Sequence, residues 1–396
     1  MKRLAIVPVV VLCLVIAVPL SMGSDPLKFG QLVTALRTYW HSKVVTQNPK
    51  RQDKAHRGHP TSNLYAVHKV AHPWKTGMPQ WGVQVYWANH SGDSPSYMRS
   101  KARQIVDYIV RLNANSICIS FPFFAPGSDA SFVRTGPATP SPAHIGILIE
   151  EARHAHLRVT VRPVLEALPG TPADRPSVVR PADRDTWFAS YRAHLIPYAR
   201  VAQEYGAASF VIATELNSME GDRHWEGLVS TLRRQFKGEL AYDAAWSDYI
   251  SRYVNMPVSH LGIDAYFPVD AANSASISEL VVGWNRWLDR KTTGVLSHVL
   301  LSEIGIAPQD GAYATPGEFH IGHKYNPQMQ ANWYRTACTV ARERDMAGFY
   351  VWSLDFNSDP DKPVRLSSNS PFTFAGRPQS EHALRACFAT SYRVQQ

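Results

Sequence analysis

The sequence contains few cysteines, few charged residues and no Cys/His cluster, and each scarcity excludes a class of protein. Four cysteines occur in 396 residues and none forms a CxxC pair, which excludes the usual cysteine-based zinc sites. Charged residues make up 18% and hydrophobic residues 45%, a balance typical of a globular protein rather than a disordered one. The net charge is +9, yet no run of Lys and Arg alternates with aromatics. We therefore expect a diffusely basic surface and no nucleic-acid partner.

Residues 1–23 have the pattern of an export segment. Lys2 and Arg3 precede an apolar run at 4–20, as the charged and hydrophobic parts of a secretory signal do. The small residues that follow, SMG at 21–23, form a weak cleavage site, and the run has the minimum length that can cross a bilayer. A cleaved signal peptide and an uncleaved membrane anchor through 4–20 both remain open. Either one predicts a secreted or extracytoplasmic membrane-anchored protein.

Two domain-level predictions follow for the rest of the chain. Residues 24–78 are rich in Lys, Arg, His, Pro and Gln with weak periodicity, which predicts a basic, partly disordered linker. Residues 79–396 are expected to form one domain. In an oxidising compartment Cys338 and Cys387, both in helical patterns, can form a disulfide, although spacing alone does not establish which cysteines pair.

Apolar strand-type runs alternate with helix-type segments from residue 81 onward. Eight such runs occur, at 83–87, 116–124, 158–165, 209–216, 239–246, 260–268, 298–304 and 348–356. Most are followed by a helical pattern, and their continuous apolar character suits strands covered on both faces. This predicts a (β/α)8 TIM barrel. A doubly wound open sheet is the alternative, but the first β-to-α turn lacks a glycine-rich phosphate-binding fingerprint.

Two of these apolar runs end on a single glutamate. Glu215 ends the fourth run and Glu303 lies at the end of the seventh. Because a buried carboxylate is costly, its presence at a strand exit indicates a function. In a barrel, the carboxyl ends of the strands form one face, where reactive residues gather. Glu215 and Glu303 are therefore a candidate acid/base and nucleophile pair for cleaving a glycosidic bond.

The other strand exits supply side chains that suit a sugar. We predict substrate contacts from five of them: Trp87, Arg162, Trp246, Tyr266 and Trp352. Indoles stack on the C–H faces of sugar rings at small entropic cost. A guanidinium near two carboxylates favours the ionised form of the nearer one, as a nucleophile requires. No metal site is expected, because the His and Asp residues of the late loops lack the spacing of metal ligands.

Together, the strand-end motifs resemble those of glycoside hydrolase family 113, the β-mannanase-type barrels of clan A. The motifs are TEL (214–216), YDAAW (242–246), LGIDAYFP (261–268), SEIG (302–305) and VW (351–352). The resemblance covers roughly residues 81–390. It implies a retaining double displacement with Glu215 as acid/base and Glu303 as nucleophile. It also implies that Tyr266 lies near the nucleophile and that Trp352 forms the floor of the subsite where the bond breaks.

One position departs from the pattern of most of clan A. Thr214 stands where an Asn usually contacts the sugar 2-hydroxyl, which leaves the manno or gluco preference open. The leading hypothesis is a monomeric enzyme that needs no cofactor and cleaves β-linked hexosyl polysaccharides or oligosaccharides, β-1,4-mannan above all. Two alternatives remain: a non-catalytic barrel that binds cell-envelope polysaccharide, and a transglycosylase that remodels wall glycan.

Overall fold

The computed structural model describes residues 68–90, 92–168, 178–251, 253–318, 322–364 and 372–389. The predicted export segment at 1–23 and most of the predicted linker lie outside the described residues. Within them, no helix has the length and apolar character needed to cross a membrane.

Parallel strands form a closed barrel in which each strand pairs with its neighbours in chain order, β1-β2-β3-β4-β5-β6-β7-β8, and β8 pairs with β1. The strands are β1 (Gln80–Tyr86), β2 (Ser116–Ala125), β3 (Arg158–Ala167), β4 (Ser209–Thr214), β5 (Glu239–Ala245), β6 (His260–Asp264), β7 (Leu300–Ile304) and β8 (Gly348–Asp355). Most of their residues are buried, since helices cover the barrel outside and side chains fill it inside. The (β/α)8 prediction is confirmed.

Helices follow the strands and form the outer layer. They are α1 (Pro95–Arg111), α2 (Pro142–His154), α3 (Arg184–Glu204), α4 (His224–Gln235), α5 (Trp246–Ser251), α6 (Ile277–Leu288), α7 (Pro327–Glu343) and α8 (Pro378–Phe388). Local sequence explains several starts: Ser94, Ser141, Asp183 and Ser276 each accept a hydrogen bond from a backbone N–H of the first turn. A disulfide joins Cys338 of α7 to Cys387 of α8, on either side of β8.

The predicted linker boundary at residue 78 is wrong by several residues. Val70 is buried in the core, and its N–H donates to the Ala155 carbonyl. The Arg158 guanidinium lies over the Trp74 ring, 4.8 Å from its centroid. These contacts make residues 68–78 part of the barrel domain, because an apolar and an aromatic side chain gain by packing against it.

Two strand ends also differ from the sequence prediction. β4 ends at Thr214, so Glu215 is the first residue beyond it, and β5 ends at Ala245, so Trp246 opens the short helix α5. An apolar run can continue from a strand into a loop or helix without a break in composition, and the sequence gives no signal for the change.

Candidate active site

Arg162 of β3 lies at the centre of the barrel mouth and holds three carboxyl groups from three other strands. Its Nε donates to Asp243 of β5 at 2.6 Å, and its Nη1 donates to Glu303 of β7 at 2.8 Å. Its Nη2 donates to both oxygens of Asp264 of β6, at 3.2 and 3.0 Å. The guanidinium is fully buried. Burial alone would lower the pKa of Arg162, but Asp264, Glu303 and Asp243 together raise it well above its usual value, so the positive charge is permanent.

Glu303 is held at both carboxylate oxygens. Arg162 occupies Oε1, and the Tyr266 hydroxyl donates to Oε2 at 2.5 Å. The side chain has no exposed surface. Two charge-assisted hydrogen bonds favour the ionised carboxylate and restrict its rotamer. Such a group suits a nucleophile that must be charged and aimed, and the predicted proximity of Arg162 and Tyr266 to Glu303 agrees with this geometry.

Glu215 has an uncommon backbone conformation. Its φ is +50°, in the left-handed region that few residues other than glycine adopt, and its N–H donates to the Asp243 carbonyl at 2.8 Å. Strain of this kind costs on the order of 1–3 kcal/mol and persists where the surroundings impose it, often at functional sites. The turn directs the chain out of β4 at the mouth, where the side chain is 6% exposed.

Glu215 and Glu303 act electrostatically on the same group. Burial raises the pKa of Asp264 well above its usual range, and the charges of Glu303 and Glu215 raise it further against the opposing effect of Arg162. Glu303 is the direct partner of Asp264 in the sheet, and the Glu215 N–H donates to the carbonyl of Asp243 on the strand next to that of Asp264, so both glutamates lie near Asp264. The fold therefore brings the two predicted carboxyl groups, 88 residues apart in the numbering, to one site.

Trp352 of β8 lies beside this site with an aromatic neighbour. The Tyr86 ring meets its indole edge-on, with centroids 5.8 Å apart. The Tyr86 hydroxyl donates to Glu166, at the end of β3, at 2.7 Å. Trp352 is 2% exposed, so its sugar contact stays a prediction that depends on a very small surface. An indole and a carboxylate are groups that suit the apolar face and the hydroxyls of a sugar.

Trp87 is placed differently from the prediction. Its indole is fully buried and stacks on Phe356 with centroids 3.8 Å apart and planes 16° from parallel, while the His144 ring lies parallel at 6.2 Å. With its faces against protein, Trp87 has a packing role, and the predicted sugar contact is wrong. The sequence could not distinguish the two roles, because both place an indole at a strand exit.

Trp246 also packs against protein. Phe267 and Trp287 of α6 meet its ring edge-on at centroid distances of 6.0 and 5.0 Å. The indole is 5% exposed. Its sugar contact stays a prediction, carried by that small remaining surface.

Asp243 and Asp264 are the functional-site residues that the sequence reasoning did not single out. Each is an isolated acid in an apolar strand, which is the same signal that identified the two glutamates. Gly262 is the partner of Asp243 in the sheet, and a Cβ there would stand 2.2 Å from an Asp243 oxygen and 2.6 Å from the Ser302 hydroxyl oxygen. A glycine at this position thus provides the room for the buried acids.

Two further properties of the site concern the Thr214 hydroxyl and the side chains that could bind a metal ion. The Thr214 hydroxyl is buried and has no hydrogen-bond partner among the described residues, so its hydrogen-bonding capacity is available to a ligand. In the part of the chain that the structure describes, no group of three or more His, Cys, Asp or Glu side chains is arranged to hold a metal ion.

Solved structures share this architecture. A complex of a GH113 β-1,4-mannanase is 17% identical and superposes with a TM-score of 0.67, covering 79% of this chain and 100% of the solved one. The GH113 β-mannanase of Alicyclobacillus acidocaldarius in complex with ManMIm is also 17% identical, with a TM-score of 0.63 over 78% of this chain and 97% of the other. At such identities the likeness shows the fold. A search of curated protein sequences finds no match.

A match between the sequence and a family model establishes the family. The model of Glycoside Hydrolase Family 113 matches residues 85–377. This range begins in β1, ends immediately before α8 and contains every residue of the site described above. The protein belongs to Glycoside Hydrolase Family 113 and is a glycoside hydrolase.

Proposed function

We propose that this protein is a retaining endo-β-mannanase in which Glu303 is the nucleophile and Glu215 the acid/base. The observation that carries the proposal is the pair of donors on Glu303, Arg162 at 2.8 Å and Tyr266 at 2.5 Å. An ionised, immobilised carboxylate is what attack on an anomeric carbon requires. Glu215 is 6% exposed, whereas Glu303 is fully buried, and contact with solvent suits a group that must carry and exchange a proton.

The reaction divides the work between the two carboxyl groups. Glu215 donates a proton to the leaving glycosidic oxygen while Glu303 attacks the anomeric carbon, forming a glycosyl ester. Glu215 then takes a proton from water, which attacks the same carbon and releases Glu303. Two inversions give overall retention. The hydrogen bond from Tyr266 to Glu303 must weaken as the ester forms, since the oxygen that attacks loses its charge.

β-1,4-Mannan is the proposed substrate because two solved structures that share the fold are described as β-1,4-mannanases. The Thr214 hydroxyl is the candidate contact to the sugar 2-hydroxyl, which is axial in mannose. Endo action remains part of the proposal. A transglycosylase would use the same carboxyl groups with a sugar as the acceptor, whereas a non-catalytic barrel would give no reason to maintain so costly a buried charge cluster.

The decisive experiment follows the anomeric configuration of the product. The purified protein is incubated with β-mannan, β-glucan, xylan and aryl β-glycosides, and the first-formed anomer is recorded by NMR. We expect β-mannan to be cleaved internally with a β-product first. An α-product would overturn the retaining mechanism, and absence of cleavage of β-mannan alongside cleavage of β-glucan would overturn the substrate.

Labelling separates catalysis from binding. A 2-fluoro mannosyl fluoride with a β-anomeric leaving group should form a stable ester on Glu303, located by peptide mass spectrometry. Label on another carboxylate, or none despite cleavage of mannan, would contradict the assignment. Added acceptor sugars in the same assay report transglycosylation as elongated products.

We also propose export through residues 1–23. The test is the fractionation of cells that express the full chain, with N-terminal sequencing of the mature protein. A start near residue 24 supports a cleaved signal, an intact start in the membrane fraction supports an anchor, and an intact chain in the cytoplasm would contradict export.

A further inference from the structure

One guanidinium faces three carboxyl groups in a space that solvent does not reach. The side chains of Arg162, Asp264 and Glu303 are 0% exposed, and that of Asp243 is 3% exposed. If all three acids were ionised, the cluster would carry two uncompensated negative charges inside the barrel. Buried ionic groups without compensation are strongly unfavourable, and a titratable group in that position binds a proton instead.

Among the described residues that act most strongly on Asp264, Arg162 is the one positive group. Glu303, Glu215 and Asp243 each act on Asp264 as further negative charges. The Cys118 thiol, also buried beside Arg162, has its pKa raised by burial and stays neutral at pH 7. The Tyr266 hydroxyl is engaged as a donor to Glu303.

Burial raises the pKa of both Asp243 and Asp264, and the contacts indicate which acid is the better site for a proton. Asp243 accepts the short 2.6 Å bond from Arg162 Nε, and it lines a cavity of about 70 Å³ on the N-terminal side of the cluster, together with Ser302, Gln84 and Thr160. The lining of this cavity is mostly apolar, but its volume can admit water, and Gln84, Thr160 and Ser302 offer polar atoms to bind a water beside Asp243, which would stabilise the ionised acid. Asp264 does not line it, receives longer bonds from Arg162, and is paired in the sheet directly with Glu303, the nearest negative charge along the ladder.

We propose that Asp264 is a positioning residue that carries a proton in the resting enzyme, so that the charge of Arg162 serves Glu303 and Asp243. The neutral acid still accepts hydrogen bonds from Ser302, at 2.9 Å, and from Arg162, and so keeps the guanidinium in place. A charged Asp264 would instead compete for Arg162 and add a negative charge beside both glutamates. Its role in positioning a nucleophile rests on the proposed function, whereas its protonation does not.

Two amide substitutions on adjacent strands test the proposal. Asp264→Asn replaces a neutral acid with a neutral amide, so we expect kcat/KM to fall by about tenfold or less and both limbs of its pH profile to stay within about 0.3 pH unit. Asp243→Asn removes an ionised group. We expect a loss on the order of a hundredfold there, with both limbs displaced toward lower pH because less negative charge opposes ionisation of the two glutamates.

The opposite pattern would overturn the proposal. If Asp264→Asn moves both limbs down by about one pH unit, Asp264 is ionised in the wild type. If Asp264→Asn and Asp243→Asn have equal effects on kcat/KM and on its pH profile, the two acids do not differ in protonation, and the proposal is wrong. Thermal unfolding of both variants shows whether each is folded in the pH range of the assay.

Infrared spectroscopy tests the proton without any activity. The spectrum of the wild type minus that of Asp264→Asn at neutral pH should contain the C=O stretch of a protonated carboxyl, and the corresponding difference for Asp243→Asn should lack it. Should Asp264→Asn fail to fold, Glu215→Gln is examined instead, since it removes the other acid expected to be protonated. A protonated-carboxyl band must persist in that variant, and its absence overturns the proposal even if the protein cleaves mannan.

Discussion

The exits of β4 and β7 each present a glutamate to the barrel mouth, but they hold it in different ways. Glu303 lies within β7, next to an irregularity in the pairing of β7 with β6 and β8, and it has a donor on each carboxylate oxygen. Glu215 lies one residue beyond β4, in left-handed backbone, and keeps a small exposed surface. The comparison teaches that one barrel gives identical side chains different surroundings, and under the proposed mechanism the buried, doubly hydrogen-bonded glutamate suits a fixed charge while the partly exposed one suits proton exchange.

The sharpest test of this comparison combines the two glutamine variants with two leaving groups. Glu303→Gln should reduce kcat/KM by at least about a thousandfold on every substrate, because no other group forms the ester. Glu215→Gln should cost a similar factor on mannan but much less for glycosylation by aryl glycosides, whose leaving groups need no proton. The measurement is single-turnover kinetics. Equal losses for both variants on both substrates would contradict the division of roles.

Arg162 supplies the charge that distinguishes the β7 exit, so Arg162→Lys should have the next largest effect. A lysine offers one point charge in place of the planar fork that reaches three carboxyl groups. We expect destabilisation of about 3–5 kcal/mol, since buried carboxyl groups lose their partner, and a loss in kcat/KM of about a hundredfold or more. Denaturant unfolding and steady-state kinetics measure the two effects.

Arg158→Lys is the matched control. It lies at the start of the same strand, where Arg158 pairs with the partly exposed Glu239 at the opposite end of the barrel. We expect full activity, whereas stability should fall, because the Arg158 side chain is only 3% exposed and lies over the Trp74 ring. Equal effects of the two substitutions on activity would remove the special position assigned to Arg162.

Tyr266→Phe should have a smaller effect than Arg162→Lys, because it removes a single hydrogen bond to Glu303. It deletes the hydroxyl that donates to Glu303 and leaves the ring against Phe372. A hydrogen bond to a charged group contributes about 1.5–3 kcal/mol, so kcat/KM should fall by about 10-fold to 100-fold. The acidic limb of the pH profile should move to higher pH, because the ionised form of the nucleophile loses a donor. Tyr86→Phe, whose hydroxyl contacts Glu166 instead, should leave the acidic limb in place.

The disulfide should affect stability and not the chemistry. It links α7 to α8 across 49 residues, and its loss in Cys338→Ser should cost about 3–4 kcal/mol through a less restricted unfolded chain. Activity at 25 °C should persist, since both helices lie outside the barrel. Reductant should lower the Tm of the wild type toward that of the variant and leave the variant unchanged; a drop in the Tm of the variant would mean that another bond is involved.

Sequence reasoning predicted the elements correctly and could name the two glutamates as candidates for one reason: both signals are local. The alternation of apolar strands with helices repeats through the chain, and an acid at the end of an apolar run is visible in a few residues. It failed for Trp87, whose environment comes from Phe356 and His144, distant residues that the pattern does not name. Sequence reasoning did not identify Asp243 and Asp264, because their contacts with Arg162 form only when the strands are adjacent in the folded barrel.

The sequence by itself determined the barrel, the order of its strands and the two carboxyl groups at its mouth, because hydrophobic periodicity and the cost of buried charge act on short stretches of chain. Only the tertiary structure decided that one arginine of β3 serves three acids from β5, β6 and β7. It also decided that Glu215 turns out of its strand while Glu303 stays within one. Charge interactions depend on distance and solvent exclusion, and those exist only after the strands close into a cylinder.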